Sequence, residues 1–178
     1  ASFMIDDETN EVLCFSRNQQ LDESNTLRGF YNWVQEHIVP QKDKLLTGCI
    51  YVGEWLVHHK IQYDESNMNK FYLYDIYYQD IDTYFKSAIV RNEANILKVL
   101  VAPLFYEGDF QSIEHIQSFV GKSALGAEGE GVVVKNYDYR DRGGNQVFTK
   151  FVSDSFAEKM NIKKHNVTEK KDSLDAFI

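Results

Sequence analysis

A run of β-branched residues bounded by charged side chains places the strongest constraint on how this chain folds. Glu130 and Gly131 enter the run Val132 to Val134, and Lys135 ends it. Valine favours strands because its branched side chain packs well on a pleated surface. Glu130 and Lys135 are five positions apart, so in one regular strand their side chains would point to opposite faces. Either Glu130 therefore precedes the regular strand, or a bulge at Gly131 re-aims its side chain.

Apolar spacing along the rest of the chain predicts more strands than helices. Alternating or continuous apolar runs predict strands over residues 2–5, 12–15, 45–56, 71–78 and 97–104, of which the first two form a hairpin around a polar turn. Three- and four-residue spacing predicts helices over residues 27–38, 81–89 and 113–120. Asn25 or Thr26 is the predicted N-cap of the first helix, and Pro40 its predicted stop. Segments 121–129 and 136–145 are predicted loops that bracket the valine run.

Composition limits the class of protein. A chain of 178 residues with 43% hydrophobic content can bury a substantial core and is near the usual size of one domain. Its two cysteines, Cys14 and Cys49, form neither a CxxC pair nor a spacing suited to zinc, which favours a reducing, cytoplasmic location. The sequence has no segment of membrane-spanning length, so no membrane partner is expected. A formal net charge of −8 argues that any contact with a polynucleotide is local, because such binding depends on phosphate neutralisation.

Four short motifs occur in one order along the chain. They are Gly53-Glu54-Trp55 after an apolar run, the segment 71–76 with Tyr74 and Asp75, the run from Glu130 to Lys135, and Lys150 at the end of a further strand-like segment. Together they resemble the adenylate-binding domain of ATP-dependent polynucleotide ligases, most closely the bacteriophage RNA ligase 2-like group. The resemblance implies an α+β nucleotidyltransferase (ATP-grasp-like ligase adenylation) domain, with antiparallel sheets flanked by helices, over residues 1–159. Residues 160–178 would form a polar C-terminal helix or tail.

The resemblance also implies a reaction. A lysine amine attacks the α-phosphate of ATP, pyrophosphate leaves, and the lysyl-AMP passes its adenylate to a polynucleotide 5′-phosphate that is then joined to a 3′-OH. In such a site Tyr74 would stack on adenine, Glu54 would accept a hydrogen bond from a ribose hydroxyl, and Asp75 would belong to the same nucleotide-binding motif as Tyr74. The expected ligands are ATP or AMP and either Mg²⁺ or Mn²⁺. The expected partners are RNA strand ends, with a nicked duplex as one form that they can take.

The same resemblance assigns the charged residues to the phosphates. Glu130 would lie beside the nucleophile and the divalent metal, while Lys135 and Lys150 would neutralise charge on the α-phosphate. Arg17 would lie near the phosphate and the polynucleotide end, where its fork of donors suits the task. The catalytic set implied is thus Glu130, Lys135 and Lys150, and all three also belong to the nucleotide-binding set.

Two departures from the family pattern are visible. The motif that holds the nucleophilic lysine, Lys-x-Asp/His-Gly, is absent from the 178 residues, and the resemblance implies that it lies directly before Ala1. The last motif often has two lysines one residue apart, whereas here Phe148, Lys150 and Val152 occupy the alternating positions. Only Lys150 is therefore carried over.

Simpler interpretations remain open for each residue. Tyr74 is one of eleven tyrosines, so core packing is its commonest role, and Lys135 and Lys150 could extend from strand ends into solvent. Asp75 within an apolar strand needs a polar partner in any case. A catalytically inactive nucleotide- or RNA-binding module of the same fold, or a DNA ligase or capping-type nucleotidyltransferase, would share this pocket. The oligomeric state is unknown from the sequence.

Overall fold

The structure is a computed structural model that describes residues 1–58 and 61–159. The chain divides into two compact units. The first comprises Ala1–Val57 and Asn69–Ala102, and the second comprises His58–Met68 and the described part of Pro103–Ile178. The predicted helix or tail over residues 160–178 lies outside the described residues. Within those residues, no helix combines the length and apolar character needed to span a membrane.

The first unit is built on a sheet in which most neighbouring strands are antiparallel. Its strands are β1 (Ser2–Ile5), β2 (Val12–Phe15), β3 (Cys49–Leu56), β4 (Lys70–Tyr78), β5 (Thr83–Tyr84) and β6 (Leu100–Val101). Their order is β2-β1-β3-β4-β5, and β6 pairs in parallel with β4. The predicted hairpin is confirmed, since Ser2 pairs with Phe15 and Ile5 with Val12.

One face of this sheet holds the core of the unit. Helices α1 (Phe30–His37) and α2 (Ser87–Leu97) contribute buried side chains to the same apolar cluster as the strands. Alternate residues of β3 enter this cluster, and the ring of Tyr51 stacks on that of Phe3 at 5.1 Å between centroids. The opposite face of β3 presents Glu54, which is exposed.

The first helix begins later than predicted, at Phe30, and ends before Pro40 as predicted, at His37. Leu27, Arg28 and Gly29 have positive φ angles of 46°, 52° and 95°, so the helical path starts only at Phe30. Thr26 accepts a hydrogen bond from the Gly29 amide but does not cap the helix itself. Proline fits the first turn of a helix because it lacks an amide proton there. Pro40 accordingly opens a 3₁₀ helix, Val39–Lys44.

The predicted helix over residues 81–89 is wrong in its first half, and the predicted strand over 97–104 is much shorter. A 3₁₀ turn, Gln79–Ile81, leads into β5, and α2 begins only at Ser87. The Phe85 amide donates to the carbonyl of Ile76 on β4, so pairing with the sheet overrides the helical spacing of the apolar residues. Helix α2 continues to Leu97, which leaves only Leu100–Val101 for β6.

The second unit contains a long antiparallel hairpin. Strands β7 (Gly131–Arg140) and β8 (Gln146–Val152) pair from Gly131 to Lys135 and again at Arg140, with a register shift between these two stretches. The helices of this unit are α3 (Ile113–Gln117) and α4 (Asp154–Lys159), with a 3₁₀ turn at Glu65–Asn67. The predicted loop over residues 136–145 shrinks to residues 141–145, where the Asp141 carboxylate accepts hydrogen bonds from the amides of Gly143 and Asn145. The predicted α+β architecture, with antiparallel sheets and flanking helices, is confirmed.

Candidate functional site

A β-bulge in the first unit sets the direction of the Tyr74 side chain. Val52 pairs with Asp75 while the next residue, Gly53, pairs with Leu73, so Tyr74 is the extra residue on β4. A bulge re-aims the side chain that it inserts. Leu73 is fully buried, whereas Tyr74 is 38% exposed. The bulge therefore exposes the ring of Tyr74 on the face of the sheet that points away from the core.

Gly53 permits the close approach of the two strands at this bulge. A Cβ atom at Gly53 would collide with the ring of Phe71 and the carbonyl oxygen of Tyr72. Any other residue would thus push β3 and β4 apart at the point where the register shifts. The glycine of the Gly53-Glu54-Trp55 motif is required by this packing.

Glu54 and Asp75 lie on the side of the sheet where Tyr74 is exposed. Directly paired residues share a face, so Val52 and Asp75 point the same way, and Glu54 follows Val52 by two positions. Partial burial, followed by the negative charges of Glu54 and Asp75, raises the pKa of Tyr74 to about 12. The structure thus brings together the three residues that the sequence assigned to a nucleotide.

Asp75 is the buried member of this group. Asp75 is 5% exposed. A carboxylate in an apolar strand is expected to form hydrogen bonds, and every fully buried side-chain oxygen or nitrogen in the described residues has a hydrogen-bond partner. Partial burial and the charge of Asp75 also raise the pKa of Tyr84. Tyr84 lies on β5, where it pairs with Tyr77 of β4. Tyr84 was not predicted at this place, because the apolar spacing around it predicts a helix.

Arg17 is exposed in the turn that follows β2. The Ser16 amide donates to the carbonyl of Gln19, which closes this turn. Ser2 pairs with Phe15 on one side and Val52 on the other, so the Arg17 turn and Glu54 flank the same end of β1. The nitrogen of Ala1 donates to the carbonyl of Gly53 at 2.9 Å, which continues this register.

Glu130 precedes the regular strand in the second unit, which is the first of the two alternatives that its spacing from Lys135 left open. Strand β7 begins at Gly131, whose φ is 157° and whose added Cβ would collide with the backbone of Phe151 on β8. The Ser153 amide donates to the carbonyl oxygen of Glu130 at 2.8 Å. The backbone at Glu130 is therefore fixed by the hairpin, while its side chain does not follow the alternation of the strand.

The Glu130 carboxylate has a different partner at each oxygen. The Lys150 Nζ atom lies 3.8 Å from Oε2, and the Tyr63 hydroxyl donates to Oε1 at 3.3 Å. The side chains of Lys150 and Glu130 are 51% and 33% exposed, so a ligand can reach both. Tyr63 was not predicted, since one tyrosine in a polar segment carries no sequence signal.

Lys135 lies on the same face of the hairpin as Lys150. Lys150 pairs with Val133 and Lys135 pairs with Phe148, and Val133 and Lys135 are two positions apart on β7. Each ammonium group is held over an aromatic ring, Lys135 over Phe148 at 5.4 Å and Lys150 over Phe156 at 5.6 Å. The face thus presents two cations next to a carboxylate.

This arrangement suits a phosphate with its divalent cation. Ammonium groups neutralise phosphate oxygens, and a carboxylate is a ligand that Mg²⁺ accepts. The described residues hold no group of three or more His, Cys, Asp and Glu that could bind a metal ion. A single carboxylate such as that of Glu130 is enough to bind such a cation, because Mg²⁺ is usually bound by one or two carboxylates together with substrate phosphates and water.

The predicted residues form two sets, each within its own unit. Glu54, Tyr74 and Asp75 share one face of the sheet in the first unit, with Arg17 at the end of a neighbouring strand. Glu130, Lys135 and Lys150 share one face of the hairpin in the second unit.

Comparison with known proteins gives a family and a fold. A family model described as RNA ligase matches residues 1–152. A Naegleria gruberi RNA ligase solved with PPi is similar at a TM-score of 0.61 and 20% identity, over 91% of this chain and 48% of that one. A mutant of the Naegleria gruberi RNA ligase solved with ATP and Mn has a TM-score of 0.60 and 20% identity, over 89% of this chain and 48% of that one. This chain therefore spans about half the length of those ligases, and a search of curated protein sequences gives no match.

We expect the substitution Glu54→Gln to lower the pKa of Tyr74 from about 12. Removing a neighbouring negative charge makes the phenolate less unfavourable, while partial burial still keeps the pKa above its usual value of about 10. Carbon-13 NMR of the tyrosine Cζ atoms during an alkaline titration measures the change. Glu36→Gln on the exposed side of α1 is the control, and an unchanged Tyr74 midpoint in Glu54→Gln would contradict the proximity of the two side chains.

Proposed function

The chain belongs to the RNA ligase family, and from this premise we propose that it is the adenylate-binding part of an ATP-dependent RNA ligase. The enzyme joins 3′-OH and 5′-phosphate ends of RNA through a lysyl-AMP intermediate, and a nicked duplex is one form in which such ends meet. One observation carries the proposal: Lys135, Lys150 and Glu130 share one face of the β7–β8 hairpin, with the carboxylate next to an ammonium group. A cytoplasmic location fits the two buried free thiols, Cys14 and Cys49.

The face around Tyr74 binds the nucleoside of ATP in this proposal. The exposed ring of Tyr74 stacks on adenine, and the exposed carboxylate of Glu54 accepts a hydrogen bond from a ribose hydroxyl. Asp75, which is buried beside them, supports the face through its charge and its hydrogen bonds. The phenol of Tyr74 is neutral at physiological pH, as that of an unperturbed tyrosine also is, so it does not repel the phosphates.

The hairpin face binds the phosphates. Lys135 and Lys150 neutralise the charge that develops on the α-phosphate as pyrophosphate leaves, and a preorganised cation is most effective when it is already aimed at that position. Glu130 would hold the divalent cation, Mg²⁺ or Mn²⁺, which would neutralise phosphate charge when bound. Arg17, exposed in the turn after β2, contacts the phosphate of the polynucleotide end through its fork of donors.

The nucleophile belongs to a Lys-x-Asp/His-Gly motif upstream of Ala1 in this proposal. The β1 register supports the placement: Ser2 pairs with Val52, and the nitrogen of Ala1 bonds to the carbonyl of Gly53. In this register, a residue that extended β1 by one position would lie opposite Glu54. Its side chain would point away from the core, because Ala1 packs against the core and neighbouring residues of a strand alternate between faces. An upstream lysine motif would therefore enter beside the proposed ribose ligand.

We expect ATP labelled on the α-phosphate to modify covalently only a chain extended upstream through the lysine motif, and not residues 1–178 alone. The reason is that the extended chain contains the proposed nucleophile. The extended chain with that lysine replaced by alanine is the matched control, and gel detection of the label measures the reaction. Stoichiometric labelling of the short chain would place the nucleophile elsewhere, and failure of the extended chain would favour an inactive binding module.

We expect Lys135→Ala and Lys150→Ala each to slow adenylate formation in the extended chain about a hundredfold or more, which is the usual cost of removing one preorganised transition-state charge. Lys44→Ala is the control, since this exposed lysine lies in the first unit and belongs to neither set of predicted residues. Single-turnover rates measure the effect, and circular dichroism checks the fold. Rates near that of the wild type in both hairpin variants would remove these lysines from the site.

We expect Tyr74→Ala to weaken ATP binding roughly 5- to 160-fold, because stacking of a base on an aromatic ring is worth roughly 1–3 kcal/mol. Tyr74→Phe keeps the ring and should bind nearly as well as the wild type. Isothermal titration calorimetry measures the affinity, with Tyr106→Ala as a control at an equally exposed tyrosine of the second unit. Equal affinity of Tyr74→Ala and the wild type would show that the base does not stack there.

A further inference from the structure

Glu130 receives a hydrogen bond that the proposed ligase reaction does not account for. The Tyr63 hydroxyl donates to Oε1 at 3.3 Å, while the Lys150 ammonium group lies 3.8 Å from Oε2. Tyr63 is 67 residues away from Glu130 in the sequence, so the contact is not a by-product of local chain geometry. One carboxylate is thereby held from two directions.

The backbone around Tyr63 is fixed to the loop that leads to Glu130. Tyr63 forms an isolated antiparallel bridge with Gly126, and the Asp64 amide donates to the carbonyl of Leu125 at 2.9 Å. The Asn67 Nδ2 atom donates to the same carbonyl at 3.0 Å. A Cβ atom at Gly126 would lie 2.8 Å from the Tyr63 Cα atom, so only glycine allows this approach.

Buried apolar residues hold both ends of the same segment. Ile61 is 2% exposed and Met68 is 6% exposed, on either side of Tyr63. The segment that carries Tyr63 is therefore held by the burial of the apolar residues on either side as well as by backbone pairing. A hydroxyl delivered from such a support loses little conformational freedom when it forms a hydrogen bond.

The backbone of Glu130 is also fixed, so only the side-chain torsion angles of Glu130 still determine where its carboxylate lies. Ser153 bonds to this stretch twice, through its amide to the carbonyl of Glu130 and through its Oγ atom to the carbonyl of Gly129 at 3.2 Å. The Gly129 amide in turn donates to the carbonyl of Gly121. Tyr63 and Lys150 act on the part of Glu130 that these bonds leave free.

We infer that Tyr63 is a positioning residue that orients the Glu130 carboxylate toward the metal and phosphates. The inference rests on the proposed function of Glu130. A phenol is a neutral donor, so it fixes one oxygen without cancelling the negative charge that a divalent cation needs. A second ammonium group at the same place would compete with the cation. Partners of this kind orient metal-binding carboxylates in proteins generally.

The test is Tyr63→Phe in the chain extended upstream, with Mn²⁺ as the probe. Electron paramagnetic resonance of free Mn²⁺ measures the affinity for the metal. The upstream lysine is replaced by alanine in every variant compared, so that ATP can be present without turnover. We expect the dissociation constant for Mn²⁺ to rise about tenfold, the lower end of the usual effect of losing such a partner. Tyr106→Phe is the matched control, because its hydroxyl also donates a hydrogen bond in the second unit, to the carbonyl of Asp109 at 2.8 Å.

A double-mutant cycle with Glu130→Gln separates the inference from the proposed function. If Tyr63 acts through Glu130, Tyr63→Phe should have no further effect on Mn²⁺ affinity once Glu130 is glutamine. A loss of affinity in Glu130→Gln but not in Tyr63→Phe would overturn the positioning role and leave the proposed function standing. Unchanged Mn²⁺ affinity and unchanged adenylate formation in Glu130→Gln would instead overturn the proposed role of Glu130 itself.

Discussion

The contact between Gly53 and strand β4 is the constraint on which the first unit depends. Because no side chain fits at Gly53, the two strands approach closely enough for the register to shift, and Tyr74 becomes the inserted residue. Leu73 and Ile76 are three positions apart, yet both are fully buried in the core. A regular strand would place them on opposite faces, so only the bulge reconciles core packing with an outward-facing ring.

The second unit uses glycine in a similar way at the start of its hairpin. Gly131 lies against the backbone of Phe151, and this close approach places Glu130 just outside the regular strand. In both units a carboxylate is the immediate neighbour of the glycine, Glu54 in one and Glu130 in the other. The short glycine-acid motifs thus combine two requirements: a tight strand contact and an acidic group at the point where the strand geometry changes.

The sequence predicted the long strands and the hairpin well because their apolar runs are continuous and bounded by polar turns. It failed over residues 81–89, where Tyr84 and Phe85 have helical spacing but pair with the edge of the sheet. Leu73 and Ile76 are both apolar and both buried, and they are three positions apart. This odd separation breaks the alternation of a strand, so it could have indicated the bulge. No sequence pattern could have found Tyr63, because its contact with Glu130 joins residues that only the tertiary fold brings together.

The segment that carries Tyr63 leaves the first unit and returns to it, and this has a consequence for synthesis on the ribosome. Its partners at Leu125, Gly126 and Glu130 are translated much later, since Tyr63 and Glu130 are 67 residues apart. At about 5–20 residues per second, the delay is roughly 3–13 s. Once residue 102 has been translated, the first unit is complete in sequence, whereas the Tyr63 hydroxyl still lacks the carboxylate that it binds, so the first unit can fold before the Glu130 site exists.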